Sequence, residues 1–458
     1  EVGAVTITDI NTSDDYANLQ FDISWDNSWK VNTGPTNWDA AWVFAKYRVV
    51  NGDWAHCTLS STDADHTAPT GSTIDAAADG KGIFIYLSEV GSGSNDWNGA
   101  KLRWNYGDDA VADDATVTIK IFAIEMVYVP TGAFYVGSGG TESSAFYNYP
   151  TTTNAYLISN EGAITVGENE DNLYYDSITL GGDRTGPIPA AFPKGYNAFY
   201  CMKYEISQGQ YVDFLNTLTG TQDATRYMTE TGYRHGTWSG DAGSRTTTTP
   251  DRACNYLNWA DGAAYSDWAG LRPMTELEFE KACRGTRSAV AFEYAWGTAT
   301  VCPDASLTIS GTEDGTETIT TDVSAGACLY GNNAHSGGDE GIGPLRCGIF
   351  ATGTSTRVEA GATYYGVMEM SGNLWERPVT LGNTDGRAFT GLNGDGELTT
   401  DGNADVTYWP DTTASGSGRR GGNWICVVHY LRVSDRDNAA YVDADRYYDY
   451  GFRAVRTQ

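Results

Sequence analysis

Eight cysteines and five histidines are the residues through which this chain could do metal or redox chemistry. No cysteine stands in a Cys-x-x-Cys or Cys-x-x-His spacing, so no common zinc site is written locally. His56, His66, His235, His335 and His429 are isolated from one another as ligand pairs. His56, Cys57 and His66 lie close in sequence, but their spacing matches no standard metal site and reads as structural. The densest chemistry lies between Trp424 and Gly451. That window is crowded with Tyr and Asp and contains no Lys, Glu, Gln, Met or Trp. Tyrosines on loops offer large contact area with two side-chain torsions each, and acids among them add adaptable hydrogen bonds, the chemistry of antibody-like paratopes.

Such loops need a scaffold, and 458 residues suffice for roughly two to three ordinary domains. With 59 acidic and 29 basic residues the formal charge is −30, which excludes nucleic acid as a default partner. At 19% charged residues, 12% aromatics and 54 Gly, the chain is neither a disordered acidic tail nor a coiled coil. No apolar run reaches about 18 residues, so no membrane insertion is expected. Glu1 in place of Met suggests a processed N-terminus, and few lysines with many cysteines suit an oxidising compartment. A secreted or cell-surface location is therefore expected.

Residues 1–124 read as an all-β sandwich of immunoglobulin-like size. Leu19, Phe21, Ile23 and Trp25 alternate with polar residues, as do Ile83, Ile85 and Leu87, and later Val117, Ile119 and Ile121. A new texture starts near Glu125, and residues 125–458 read as a loop-rich α+β domain. Ser207 with Gln210 predicts a capped helix carrying Tyr211, Phe214 and Leu215. A second helix is predicted over Cys254–Ala269, stopped by Gly270, and a third from Thr275 to Gly285. The long irregular remainder requires side chains or ions to satisfy its loop backbone.

Several motifs follow one another through this second part. They are Val129-Pro130-Thr131-Gly132-Ala133-Phe134, Lys203-Tyr204-Glu205-Ile206-Ser207, and Tyr265-Ser266-Asp267-Trp268-Ala269-Gly270-Leu271-Arg272 with Thr275-Glu276-Leu277-Glu278-Phe279-Glu280. Gly366-Val367-Met368-Glu369-Met370-Ser371-Gly372-Asn373-Leu374-Trp375-Glu376 comes next, then Arg420-Gly421-Gly422-Asn423-Trp424 and Gly451-Phe452-Arg453. Through them the stretch 126–458 resembles the formylglycine-generating-enzyme, or sulfatase-modifying-factor, family, a branch of the C-type-lectin fold. Enzymes of that family oxidise a substrate cysteine with copper(I) on two thiolates, spaced Cys-x4-Cys just after the Arg-Gly-Gly motif. A soft cuprous ion favours two soft sulfurs. Cys426 stands in the first place, but Leu431 stands in the second, on a loop shorter than the family's. Other relatives hold iron through a His-x3-His pair, and none occurs here. No copper or iron is expected, and the resemblance implies a catalytically inactive relative.

The family also holds calcium on loop oxygens, and Asn332, Asn333, Asp339 and Glu340 form an oxygen-rich loop suited to a hard cation. Trp375 and Glu376 read as structural. The C-terminal window also resembles the variable region of proteins diversified by retroelements, whose C-type-lectin domains carry it beside the terminal Gly-Phe-Arg. That resemblance implies that Arg432, Arg436, Arg446 and Arg453 hold the fold. The ligand-binding set would be Ile425, Val427, His429, Tyr430, Tyr441, Asp443, Asp445, Tyr447, Tyr448, Asp449 and Tyr450. The five tyrosines are expected to be exposed and clustered. The leading reading is a binding or display protein for a protein or glycan ligand, with a possible homo-oligomer through its N-terminal part, which is expected to fold alone. Two alternatives are a structural subunit of an extracellular assembly or filament, and a true formylglycine-generating-type oxidase. The oxidase would need a second thiolate near Cys426, and Cys347, the nearest in sequence, lies outside any motif.

Overall fold

The structure, a computed structural model, describes every residue except 177, 305 and 313. The first 129 residues form β1 (Thr6–Asn11), β2 (Tyr16–Lys30), β3 (Asp39–Val49), β4 (Ala55–His56), β5 (Ser72–Ala76), β6 (Ile83–Leu87), β7 (Gly91–Trp104) and β8 (Val117–Val129). β1, β2 and β7 make one antiparallel sheet. A second, larger sheet adds β9 (Phe199–Met202), β10 (Arg272–Pro273) and β11 (Ala454–Arg456) in the order β10-β11-β9-β8-β3-β6-β5, with β4 on β3. The alternation in β2 places Leu19, Phe21, Ile23 and Trp25 inward, where they share a core with Leu102 and Trp104 of β7 and Val43, Ile83, Ile85 and Ile121 of the facing sheet. The molecule is thus mostly β with few helices, an α+β architecture.

The expected division between residues 124 and 125 falls inside β8. Its Val117–Val127 pairs with Val49–Asp39 of β3, and its Met126–Val129 pairs with Met202–Phe199 of β9. One strand therefore belongs to both halves. The outer face of the shared sheet is covered as well: Trp42, Phe44, Phe84 and Met126 lie in one core with Tyr200 and Trp268. The Phe84 and Tyr200 rings stack at 3.7 Å, and Trp42 Nε1 donates to the Ala269 carbonyl at 2.8 Å. Residues 1–124 thus keep a core of their own between the two sheets, while the other face of the larger sheet is buried against the rest of the chain. The change in texture near Glu125 reflects the loops that follow the strand, while the strand itself keeps its period of two across the boundary.

The helices form where local signals coincide with apolar faces. α1 (Gln208–Leu215) opens at Ser207 with a reciprocal capping box to Gln210 and buries Tyr211, Phe214 and Leu215. α2 (Gly220–Arg226) carries the same device at Thr219 and Gln222 and was not anticipated. α3 (Trp259–Trp268) begins later than expected, because Asn258 and Asp261 form its capping box while the residues before it are irregular, Tyr256 with a φ of 64°. There Cys254 and Leu257 donate their N–H groups to the carbonyls of Ile206 and Tyr450. α4 (Glu276–Arg284) runs from the Thr275–Glu278 box to Gly285, whose φ of 64° suits glycine. Gly262 admits the terminal Gly-Phe-Arg segment against α3, since a Cβ there would sit 1.9 Å from the Phe452 ring.

Because Trp42 bridges both halves, Trp42→Ala should cost about 3–5 kcal/mol and leave a single cooperative urea transition at lower midpoint. Two separate transitions, with only one moved by the substitution, would contradict the shared sheet.

Candidate functional site

The C-terminal window is anchored by arginines that point inward. Arg436 pairs with Glu276 at 2.7 Å, Arg453 with Glu376 at 2.7 Å, and Arg446 grips both oxygens of Asp261 at 2.7 and 2.8 Å. Arg432 lies over the Phe292 ring at 4.7 Å. Between these anchors the chain carries almost no regular structure beyond a 3-10 turn at Val428–Leu431. Each buried fork fixes a loop backbone at one point and leaves neighbouring side chains free to face outward.

Those neighbours fall into two groups. Val427 is 57% exposed, Tyr447 is 41% exposed, and Asp445 is also exposed. Ile425, His429, Tyr430, Tyr441, Asp443 and Tyr448 are half-buried. The His429 and Tyr430 rings lie 4.1 Å apart, and Tyr430 meets Trp375 edge-on at 5.9 Å. Tyr448 lies 4.3 Å from Tyr233 and 5.6 Å from Trp424. Tyr447 lies 5.1 Å from Tyr450.

Tyr450 and Asp449 depart from expectation. Tyr450 is 2% exposed, and its hydroxyl donates to Asp443 Oδ2 at 2.7 Å. The guanidiniums of Arg419 and Arg377 cover its ring at 4.4 and 4.7 Å. The expectation of five exposed phenols rested on a loop-rich domain having few partners to spare, and these arginines with Asp443 supply them. Asp449 is buried too: Asn423 Nδ2 donates to it at 2.5 Å, and its carbonyl accepts the Trp375 N–H at 3.0 Å. Burial pushes its carboxyl up to about 6. Asp449 and Tyr450 belong to the support of the face. Sequence reasoning missed Arg377, Arg419 and the 44% exposed Tyr233. Arg419 also stacks on Tyr441 at 3.7 Å and pairs with Asp443 at 2.7 Å. The Arg419-Arg420 doublet was a visible signal, whereas Tyr233 is brought in by the fold alone.

Cys426 sits at the edge of this face, half-buried, with burial pushing its thiol up to about 12. Its N–H and that of Ile425 both donate to Asn423 Oδ1 at 2.9 Å. Leu431 is fully buried against Gly422, in the core with Phe279, Met370 and Val433. Five residues after Cys426, Leu431 is therefore an apolar side chain in a core position.

The residues of the oxygen-rich loop have other partners. Arg252 donates to Asp339 at 2.7 Å, Arg234 donates to the Glu340 carbonyl at 2.9 Å, and the Asn333 amide bonds Asp304. Asn332 donates its N–H to the Trp424 carbonyl at 2.9 Å. A cation there would compete with Arg252 for Asp339. Among the described residues, one acid group gathers its oxygens within 4.8 Å, namely Asp267, Asp395 and Asp405.

The sulfatase-modifying factor enzyme 1-like domain profile matches residues 115–458. The chain belongs to the sulfatase-modifying-factor family. Hercynine oxygenase of Mycobacterium tuberculosis (strain ATCC 25618 / H37Rv), a distant relative, is 27% identical over 194 residues, covering 39% of this chain and 37% of that protein. This family member thus spans little more than a third of that relative's length. No helix among its described residues is long and apolar enough to cross a membrane.

The family motif Gly366–Glu376 also carries a buried acid with a titratable consequence. Glu369 adopts a left-handed φ of 53°, accepts the Gly348 N–H at 2.8 Å through one oxygen, and has no hydrogen-bond partner for the other among the described residues. Burial pushes it from 4.5 up to about 7, against the pull of Arg453 and Arg346. Burial pushes Asp435 up to about 7 as well, against the pull of the Asp437 N–H. Folding thus binds these protons more tightly, so their stabilisation is full below the unfolded pKa and is lost as pH rises through about 7. The urea midpoint should fall across that window, and Glu369→Gln should flatten the slope. An unchanged slope in the variant would remove Glu369 from this account.

Proposed function

We propose that this protein is a binding member of the sulfatase-modifying-factor family, whose C-terminal loops present an aromatic and acidic face to a protein or glycan ligand. One observation carries the reading: Tyr430, Tyr441, Tyr447, Tyr448 and His429 stand exposed or half-buried in a window held by ion-paired arginines, Arg436 and Arg453 buried and Arg446 half-buried. A rigid backbone under such side chains lowers the ordering cost of binding. Central aromatic anchors of this kind contribute about 2 kcal/mol or more each. In this reading the loop-rich part is a C-type-lectin fold, and the first strands form an immunoglobulin-sized β-sandwich that supports attachment or assembly. The location proposed is secreted or cell-surface, where such a face meets its ligand.

The oxidase reading requires a second thiolate beside Cys426, and Leu431 fills that position. Anaerobic copper(I) titration against a competing chelator should find no tight site that Cys426→Ser removes. A site lost in that variant would favour the oxidase instead.

The binding reading separates two kinds of tyrosine. In a screen of immobilised glycans and cell-surface proteins, Tyr430→Ala with Tyr447→Ala should weaken a wild-type hit by about tenfold or more at nearly unchanged melting temperature. Tyr450→Ala should lower the melting temperature clearly. Equal binding by wild type and the double variant would refute the face.

A further inference from the structure

Two thiols outside this face share one small cavity. Cys302 and Cys328 both line a space of about 220 Å³ with Pro303, Leu307, Leu329 and Tyr330. The backbone ties the two segments together on both sides of Cys328. Two residues before it, the Gly326 carbonyl accepts the Cys302 N–H at 3.1 Å; two residues after it, the Tyr330 hydroxyl donates to the Cys302 carbonyl at 2.7 Å. Both cysteines are free thiols in the structure, Cys302 half-buried and Cys328 8% exposed. The described residues of the intervening segment carry little regular structure beyond the pairing of Ile309–Ser310 with Thr318–Ile319. By contrast, Cys57, Cys201, Cys254 and Cys283 are fully buried in the cores.

We propose that Cys302 and Cys328 are a redox-responsive pair that closes a disulfide and locks the loop between them. The co-reactant is a small-molecule disulfide such as oxidised glutathione. Cys302, the more accessible, loses its proton to solvent and attacks one sulfur of that disulfide, releasing one glutathione thiolate. Burial raises the Cys302 thiol, and the N–H groups of Ala325 and Gly326 act against that rise by favouring the thiolate. Cys328 then loses its proton and attacks the Cys302 sulfur of the mixed disulfide, releasing the second glutathione thiolate. Two protein thiols are oxidised, one small disulfide is reduced, and the two protons end on the released glutathione. A covalent link across a long, weakly structured loop restricts the unfolded chain most, so the oxidised form should be the more stable one.

The test uses the full chain, incubated with oxidised glutathione, alkylated under denaturing conditions and mapped as non-reduced peptides. The expected product is a Cys302–Cys328 peptide pair, with a melting temperature above that of the reduced protein. Cys328→Ser should stop at glutathione attached to Cys302 and show no such rise. The proposal is overturned if wild type retains both thiols, stops at the mixed disulfide, or links either cysteine elsewhere. The wild-type map alone decides between these outcomes, so the result stands even where a serine variant folds poorly.

Discussion

The C-terminal part of this protein depends on a set of charges buried around α4. Glu276 receives Arg436 at 2.7 Å, Arg420 at 3.1 Å and the Leu381 N–H at 2.8 Å. Glu278 receives Arg272 at 2.6 and 2.9 Å, and Glu280 receives Arg420 at 2.8 Å, Arg284 at 3.1 Å and the Gly137 N–H at 2.8 Å. Arg420, Arg436, Leu381 and Gly137 come from segments far from α4 in sequence, whereas Arg272 lies just before the helix and Arg284 within it. Burial acts to raise the Glu276 carboxyl, and Arg436 with Arg420 outweighs it and holds the group below its ordinary value. In a domain with little helix or sheet, such forks do the holding that ladders do elsewhere. Breaking one partner of a buried pair typically costs about 3–5 kcal/mol, since the remaining charge is stranded.

Function in this account follows from a division of labour within one short window. Arg436 and Arg446 reach inward to α4 and α3, and Arg453 reaches Glu376, so the backbone between them is pinned. Tyr447, Val427 and Asp445 project outward and take no part in that pinning. A pinned loop can exchange such side chains without losing its course, which is the property a binding surface needs. Leu431, five residues after Cys426, is turned into the core and takes no part in the outward side of the window.

Much of this architecture was legible in the chain. Capping boxes at Ser207 and Thr275 gave α1 and α4 because the signal is local and complete within four residues. Period-two alternation gave β2 for the same reason. The ordered motifs from Val129 to Arg453 pointed to the family that residues 115–458 match. The division at 124 misled because a strand shared by two cores looks the same on both sides of the join. Asp449 and Tyr450 were misplaced because their partners Asn423, Arg377 and Arg419 meet them only through the fold. Tyr233 reaches the face from a loop whose sequence carries no sign of its destination.

The division between pinned and exchangeable positions can be read directly by substituting every residue from 425 to 450 with all amino acids and scoring retention of the fold by protease resistance. The account predicts that Val427, Asp445 and Tyr447 accept nearly any residue, while Leu431, Arg436, Asp449 and Tyr450 reject most. Uniform intolerance along the window, or free replacement at Arg436, would contradict it.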